Sequence, residues 1–455
     1  MKKNRLYLWM MGCAVFLLSS CLGGSSEIDG EALSNCQIIS FSIANDSIPE
    51  LSTLKFTIDQ VNGQIYNKDS MPYGTMIDRK AVCTLGYDLG LSPSAVEIYQ
   101  EATKDSTYWN GTDSLDFSNF VRFRVYSYNG KFYKTYTAKV NIHQQQPDSM
   151  TWTLYSDRLA GKNIREQKVF ASGDSYWMFV KNTTGYELHT SLKTDLHAWQ
   201  VTALNDLLNK ELLLSQMTEY GGTFYVPATD GSLYYSPDGI RWEALADAPN
   251  IKALPGVLEA DKLNGRPSAV LTAVIEESDA RLFARMDGNR QWETGNAVPE
   301  TFPVAGFGSA SYLLMYYPHL TVVAGKDRNG RLSNVSWSTM DGLAWVRLTN
   351  DRQPPFEERE GVMLTQYDDK LFLIGGINAS DHALKDIYRS EDRGITWNLA
   401  DTLIVLPEDY RARGYASVLV DEEQFLLLFG GKERDGANML EELWRGRINR
   451  LGFRE

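Results

Sequence analysis

The sequence predicts an all-β protein: a β-sandwich followed by a six-bladed β-propeller that an N-terminal strand closes. Three observations carry the propeller. Trp152, Trp199, Trp242, Trp292, Trp345 and Trp397 recur at intervals of 47, 43, 50, 53 and 52 residues, and a period of roughly 40–50 residues marks four-stranded blades. Continuous hydrophobic runs end in paired glycines at Gly375-Gly376 and Gly430-Gly431, as strands covered on both faces do. The last repeat lacks its own fourth-strand tryptophan, and Thr151-Trp152-Thr153-Leu154 supplies a match to Thr396-Trp397-Asn398-Leu399 at the other end of the array. Closure of this kind removes free sheet edges.

Residues 1–20 read as an export signal. Lys2, Lys3 and Arg5 precede an apolar run from Leu6 to Leu18, which is too short to span a bilayer. Leu18-Ser19-Ser20-Cys21 resembles a bacterial lipobox. That resemblance implies cleavage before Cys21, a lipid on its thiol, and a lipoprotein of the outer membrane on its periplasmic or cell-surface face. Residues 21–34 are small and polar, a flexible tether. Removing residues 1–20 takes away three positive charges, so the formal charge goes from −13 to −16. An acidic chain without a basic run excludes nucleic acid as a partner. Cys36 and Cys83 remain after processing. They either pair in an oxidising compartment or stay as free thiols. No Cys/His spacing points to a metal, no cofactor is expected, and a monomer is expected.

Residues 35–146 read as short strands. Ile38–Ile43, Leu54–Ile58 and Val121–Tyr126 alternate apolar and polar residues, and Asn129-Gly130 marks a hairpin between 121–128 and 132–142. With turns at Met71-Pro72-Tyr73-Gly74-Thr75 and Asp116-Phe117-Ser118, the series resembles an immunoglobulin-like sandwich. Gln144-Gln145-Gln146-Pro147-Asp148 is the linker, and residues 147–455 are the propeller.

Within the repeats, Ser390-Glu391-Asp392-Arg393-Gly394-Ile395-Thr396-Trp397 resembles the Asp box of sialidases and related propellers. Looser copies occur at 236–242 and 338–345, and weaker ones lead to Trp292 and Trp199. Asp accepts hydrogen bonds from turn amides and Gly takes a positive φ. Tryptophan on the outer strand then packs one blade against the next. The Gly-Gly strands, followed by Tyr388 and Trp397, resemble kelch repeats, and the two glycines are expected to turn the backbone at the end of a buried strand. Trp444 aligns with Tyr388 on a third strand and so does not belong to the fourth-strand series. The whole mature chain resembles a Bacteroidota lipoprotein family that brings no activity with it. That lineage implies O-glycans on Asp-Ser/Thr-apolar tripeptides, with Ser149 the foremost because a linker is exposed.

Propeller loops converge on a central funnel suited to glycans, peptides or proteins. Arg359, Arg411 and Arg413 precede the innermost strands of the last two repeats. There they either grip a carboxylate or sulfate or pair with acids between blades. The expected function is non-enzymatic: a lipid-anchored envelope protein whose funnel binds a glycan or a protein. The alternative is a sialidase-like hydrolase, which needs three arginines, a Tyr–Glu pair and a general acid. No such catalytic arrangement is recognisable.

Overall fold

The computed structural model describes residues 33–77, 80–87, 92–159, 163–348 and 355–450. The expectations for residues 1–20, the Cys21 lipidation site and most of the tether lie outside them. The chain divides into two compact units between Pro147 and Asp148.

The first unit holds β1 (Ile38–Ala44), β2 (Phe56–Asp59), β3 (Gln64–Asn67), β4 (Ala81–Tyr87), β5 (Ala95–Gln100), β6 (Asp105–Tyr108), β7 (Ser114–Leu115), β8 (Val121–Tyr126) and β9 (Tyr133–Lys139). They form two sheets, β1-β4-β7 and β2-β3-β9-β8-β5-β6. The pleat sends alternate side chains to opposite faces, so Phe41, Ile43, Ile98, Val121, Phe123 and Tyr136 meet in one core. The buried Tyr136 hydroxyl donates to Gln60 Oε1 at 2.7 Å and accepts the Ile38 amide at 3.2 Å. The Asn129-Gly130 hairpin is present but wider than its dipeptide predicts. The strands end at Tyr126 and restart at Tyr133. Ser127 Oγ donates to Asn129 Oδ1 and accepts the Phe132 amide, holding the loop open.

The second unit begins with β10 (Met150–Ser156). Three four-stranded antiparallel sheets follow in chain order. They are β11 (Glu166–Ser172), β12 (Ser175–Lys181), β13 (Tyr186–Leu192) and β14 (Asp195–Ala203); β15 (Thr218–Tyr220), β16 (Thr223–Pro227), β17 (Leu233–Ser236) and β18 (Glu243–Ala244); and β19 (Asn250–Leu258), β20 (Val270–Glu277), β21 (Ala280–Met286) and β22 (Trp292–Ala297). Next come β23 (Gly308–Leu314), β24 (Tyr317–Lys326), β25 (Leu332–Thr339) and β26 (Val346–Arg347), then β27 (Arg359–Glu360), then β28 (Met363–Tyr367), β29 (Lys370–Asn378), β30 (Ala383–Ser390) and β31 (Asn398–Leu399). The short β27 pairs with both β25 and β29 and so joins these two groups into one sheet. Last are β32 (Ser417–Val420), β33 (Leu426–Phe429) and β34 (Leu443–Ile448). The fourth strand of that sheet is β10, which places Trp152 opposite Gly446 and Leu154 opposite Trp444.

Each of the six tryptophans lies in, or just before, the fourth strand of its group. Three pack on the preceding group. Trp242 meets Phe179 edge-on at 5.8 Å, Trp345 stacks on Phe283 at 5.9 Å, and Trp397 Nε1 donates to Ser336 Oγ at 2.9 Å. The turns before them carry the predicted carboxylate contacts. Asp392 Oδ1 accepts the Thr396 amide at 2.8 Å, and Asp341 Oδ1 accepts Leu343 and Ala344 at 2.8 and 2.9 Å. Asp238 Oδ1 accepts Ile240 and Arg241 at 3.0 and 2.8 Å.

One detail departs from the sequence reading. Gly375-Gly376 does not end its strand. β29 runs on to Asn378, with a bulge in its pairing between Ile374 and Gly376. Both glycines have positive φ, 59° and 110°, and a Cβ on Gly375 would lie 2.5 Å from the Arg413 carbonyl. Here the glycines serve a bulge and a close backbone approach.

Candidate functional site

The first strands of the sheet groups surround one cavity. Its wall is built from residues 167–170, 215–218, 254–256, 306–309, 361–364 and 415–419, one segment from each group, around about 230 Å³. Hydrogen bonds run between these segments and between their sheet groups. Tyr415 N donates to Gly361 O at 2.7 Å and Gly361 N to Gly306 O at 2.6 Å. Gln216 donates to Val304 O at 3.0 Å and accepts the Leu254 amide at 2.9 Å. Val169 N donates to Ser417 Oγ at 3.0 Å. Main-chain groups make some of these links, and the side chains of Gln216 and Ser417 make the others.

Lys168 is the lysine of this wall. Among the described residues no carboxylate pairs with it; its Nζ lies 3.5 Å from the Ser215 carbonyl. Burial lowers its ammonium to about 8, because enclosure disfavours the charged form. An acid entering the cavity would meet an ammonium that no carboxylate among the described residues neutralises. Composition and spacing do not single out Lys168. Its signal is a lone lysine inside the Gln167–Phe170 strand segment.

At the end where the first strands enter, Glu360 is buried between two donors: Tyr415 Oη at 2.6 Å and Lys326 Nζ at 2.7 Å. The Lys432 amine lies 4.6 Å over the Tyr415 ring and pairs with Asp435. Burial raises the Tyr415 hydroxyl well above its ordinary range, and the Glu360 carboxylate adds to the effect. Tyr415 is therefore held as a neutral donor.

The three arginines read as funnel residues have carboxylate partners within their own sheets. Arg359 is 1% exposed and Arg413 0%. Arg359 takes Asp386 through two nitrogens, at 2.5 and 3.0 Å, and donates to Gly375 O at 3.1 Å and Glu357 O at 2.9 Å. Arg413 repeats the arrangement with Glu442 at 2.5 Å, Gly430 O at 3.0 Å and Arg411 O at 2.8 Å. Each guanidinium covers the carbonyl of the first glycine of a Gly-Gly pair and is satisfied by an acid at the third strand. Of the two sequence alternatives, acid pairing is the one made, though the acids belong to the same sheet and not to a neighbouring one. Arg411 is half-exposed and shares Glu442. The repeating signal was present in the sequence: Arg, then Gly-Gly, then an acid, at 27 residues from Arg359 to Asp386 and 29 from Arg413 to Glu442.

The cysteines do not pair. Both thiols are free. Cys83 lies opposite Ile43, whereas Ile38, two residues after Cys36, lies opposite Tyr87. Those levels are about 16 Å apart at the rise of a strand, against about 7 Å for a disulfide. Ser149 is not on an open linker either. It is half-buried, its carbonyl accepts the Asn449 amide at 2.8 Å, and its hydroxyl accepts Asn449 Nδ2 at 3.0 Å. Among the described residues, no group of three His, Cys, Asp or Glu is placed to hold a metal, and no helix is long and apolar enough to cross a membrane.

Comparison with known proteins places the chain in a family. A family model for the DUF6242 β-propeller domain matches residues 146–455, and one for the DUF6242 N-terminal domain matches residues 37–140. No curated protein matches the chain. Among solved structures, it is similar to the one titled "Structure of YjhT", at 13% identity and a TM-score of 0.45, covering 62% of this chain and 94% of that one. The propeller match alone spans more than half of the sequence, and this all-β chain belongs to the DUF6242 family, with that family's N-terminal domain followed by its β-propeller domain.

Proposed function

We propose that this protein is a lipid-anchored cell-envelope binding protein, held through Cys21, whose propeller channel takes an acidic group of a glycan or protein ligand without catalysis. The propeller has six blades of kelch and Asp-box character, the β10–β34 pairing closes its last blade, and the N-terminal unit is an immunoglobulin-like sandwich of a Bacteroidota lipoprotein. One observation carries the binding reading. Six segments enclose a single cavity, and the lysine on its wall has no carboxylate partner among the described residues. A pocket with a few convergent polar groups is the usual form of a ligand site. The test is a binding screen of acidic glycans and envelope proteins with the soluble form starting at Ser34. Lys168→Gln should weaken a hit at least about tenfold, the loss of one charge-assisted contact, with an unchanged unfolding midpoint. A hit that Lys168→Gln leaves intact refutes the channel as the site.

The hydrolase alternative has one observation in its favour, the Tyr415–Glu360 hydrogen bond at 2.6 Å, since sialidases use a Tyr nucleophile. Two others oppose it. Tyr415 is shifted away from ionisation, and Arg359 and Arg413 have their donors committed to acids and carbonyls. Release of sialic acid by the wild type and its loss in Tyr415→Phe would restore that reading.

A further inference from the structure

A second surface carries an inference independent of the channel. The turn between the first and second strands of four sheet groups is glycine or polar: Gly173-Asp174, Gly221-Gly222, Asp368-Asp369, and Asp421 to Gln424. The equivalent β23–β24 turn is Met315-Tyr316, flanked by Leu313-Leu314 and Tyr317. Met315 and Tyr316 hold positive φ, 48° and 74°. Two-residue hairpins normally give these positions to Asn, Asp and Gly, because bulky residues there are strained. Both side chains also face solvent, at 81% and 83% exposure. The fold makes the same turn elsewhere with Gly221-Gly222 or Asp368-Asp369, so it does not require a Met-Tyr tip.

The hairpin borders a groove of about 340 Å³. Leu314, Met340, Val346, Leu348 and Ile395 line it, and all of these except Leu348 are large exposed apolar side chains. Its floor is a stack in which the Arg393 guanidinium lies 5.2 Å over the Tyr312 ring, and Tyr312 lies parallel to His319 at 5.5 Å. Burial and the Arg393 charge lower the pKa of His319, so it is neutral at neutral pH. Among the described residues that line the groove, the remaining charged groups are Asp341 and Asp392 against Arg393. The groove shares no lining residue with the central cavity.

We propose that the Leu313–Tyr317 hairpin and this groove dock a partner protein through a segment whose aliphatic or aromatic side chains are flanked by Lys or Arg. The apolar wall takes the side chains, and Asp341 and Asp392 favour basic flanks. A second copy of a chain with formal charge −13 and an anionic bilayer are both repelled by the same carboxylates.

Two synthetic peptides test this, one Leu-Ile-Phe core flanked by lysines and the same core flanked by glutamates, titrated against the full chain. The lysine peptide should bind at least about tenfold more tightly. The double variant Met315→Asn/Tyr316→Gly installs the preferred turn residues. It should lose that binding at least about tenfold while its unfolding midpoint stays level or rises. Ile395→Lys, which leaves the turn intact, should also lose it, and Gly221→Asn in the control turn should not. Equal binding of the two peptides, no binding of either, or binding that survives both groove variants overturns the proposal. So does vesicle association or dimerisation that the double variant abolishes, which would assign the surface to lipid or to a second copy.

Discussion

Arg413→Ala is expected to destabilise the propeller by about 3–4 kcal/mol. The side chain is fully buried, and it donates to Glu442, Gly430 O and Arg411 O while lying 4.2 Å from the Tyr410 ring. Removing one partner of a buried pair costs about 3–5 kcal/mol, chiefly through the charge left behind. The Glu442 side chain is only 14% exposed, but it keeps Arg411 and Trp444 Nε1 as donors, which places the cost toward the lower end. Arg411→Ala removes a side chain 47% exposed from the same carboxylate and should cost under about 1 kcal/mol. Arg413→Lys should not rescue, since an ammonium lacks the fork that spans the Glu442 carboxylate and the Gly430 carbonyl. Urea unfolding followed by tryptophan fluorescence reads the effect, because Trp444 donates to Glu442 at 3.0 Å. If Arg411→Ala and Arg413→Ala cost the same, or Arg413→Ala costs under about 1 kcal/mol, the structural role assigned to the buried guanidinium is wrong.

Burial pushes the Glu442 carboxyl up, but donors from Trp444, Arg413 and Arg411 outweigh it and hold it below its ordinary value of 4.5. Its stabilisation is complete above about pH 4.5 and is lost as the pH falls through the depressed folded value; an acid titration of Glu442→Gln should lack that part of the transition. Gly446→Val places a side chain into the Trp152 ring that covers Gly446. It should cost about 1–3 kcal/mol by overpacking, and Trp152→Ala should recover part of that in a double-mutant cycle. Burial pushes the Cys83 thiol up to about 12. Alkylation at pH 8 with peptide mapping should therefore label half-buried Cys36 in the native state and Cys83 only after unfolding.

The β-propeller was legible because its signal is repeated. The tryptophan period and the Asp-Gly turns each recur, and the match of Trp152 to Trp397 placed β10 beside β34. The arginines were harder. Arg359 and Arg413 stand at the entry of inner strands, where a ligand contact and a structural pair look alike in sequence, and only the geometry shows Gly375 O and Gly430 O beneath them. Lys168 and the Glu360–Tyr415 contact were not legible. Each depends on contacts between different sheet groups, which one-dimensional spacing does not encode. The Met315-Tyr316 turn was readable only by comparison with its equivalents, since its anomaly is a bulky pair at a left-handed turn.

The pairing of β10 with β34 also bears on the order of folding. Thr151 and Arg447 are 296 residues apart. During synthesis β10 has no sheet to join until β34 has been made, and the entropy of closing so long a loop has to be met first. Contacts this distant in sequence slow folding. The growing chain therefore carries an unpaired edge at its last sheet and an uncovered Trp152 until the final strand docks. Early loss of residues 443–448 would leave that edge open, exposing a template for aggregation at a surface the finished protein never shows.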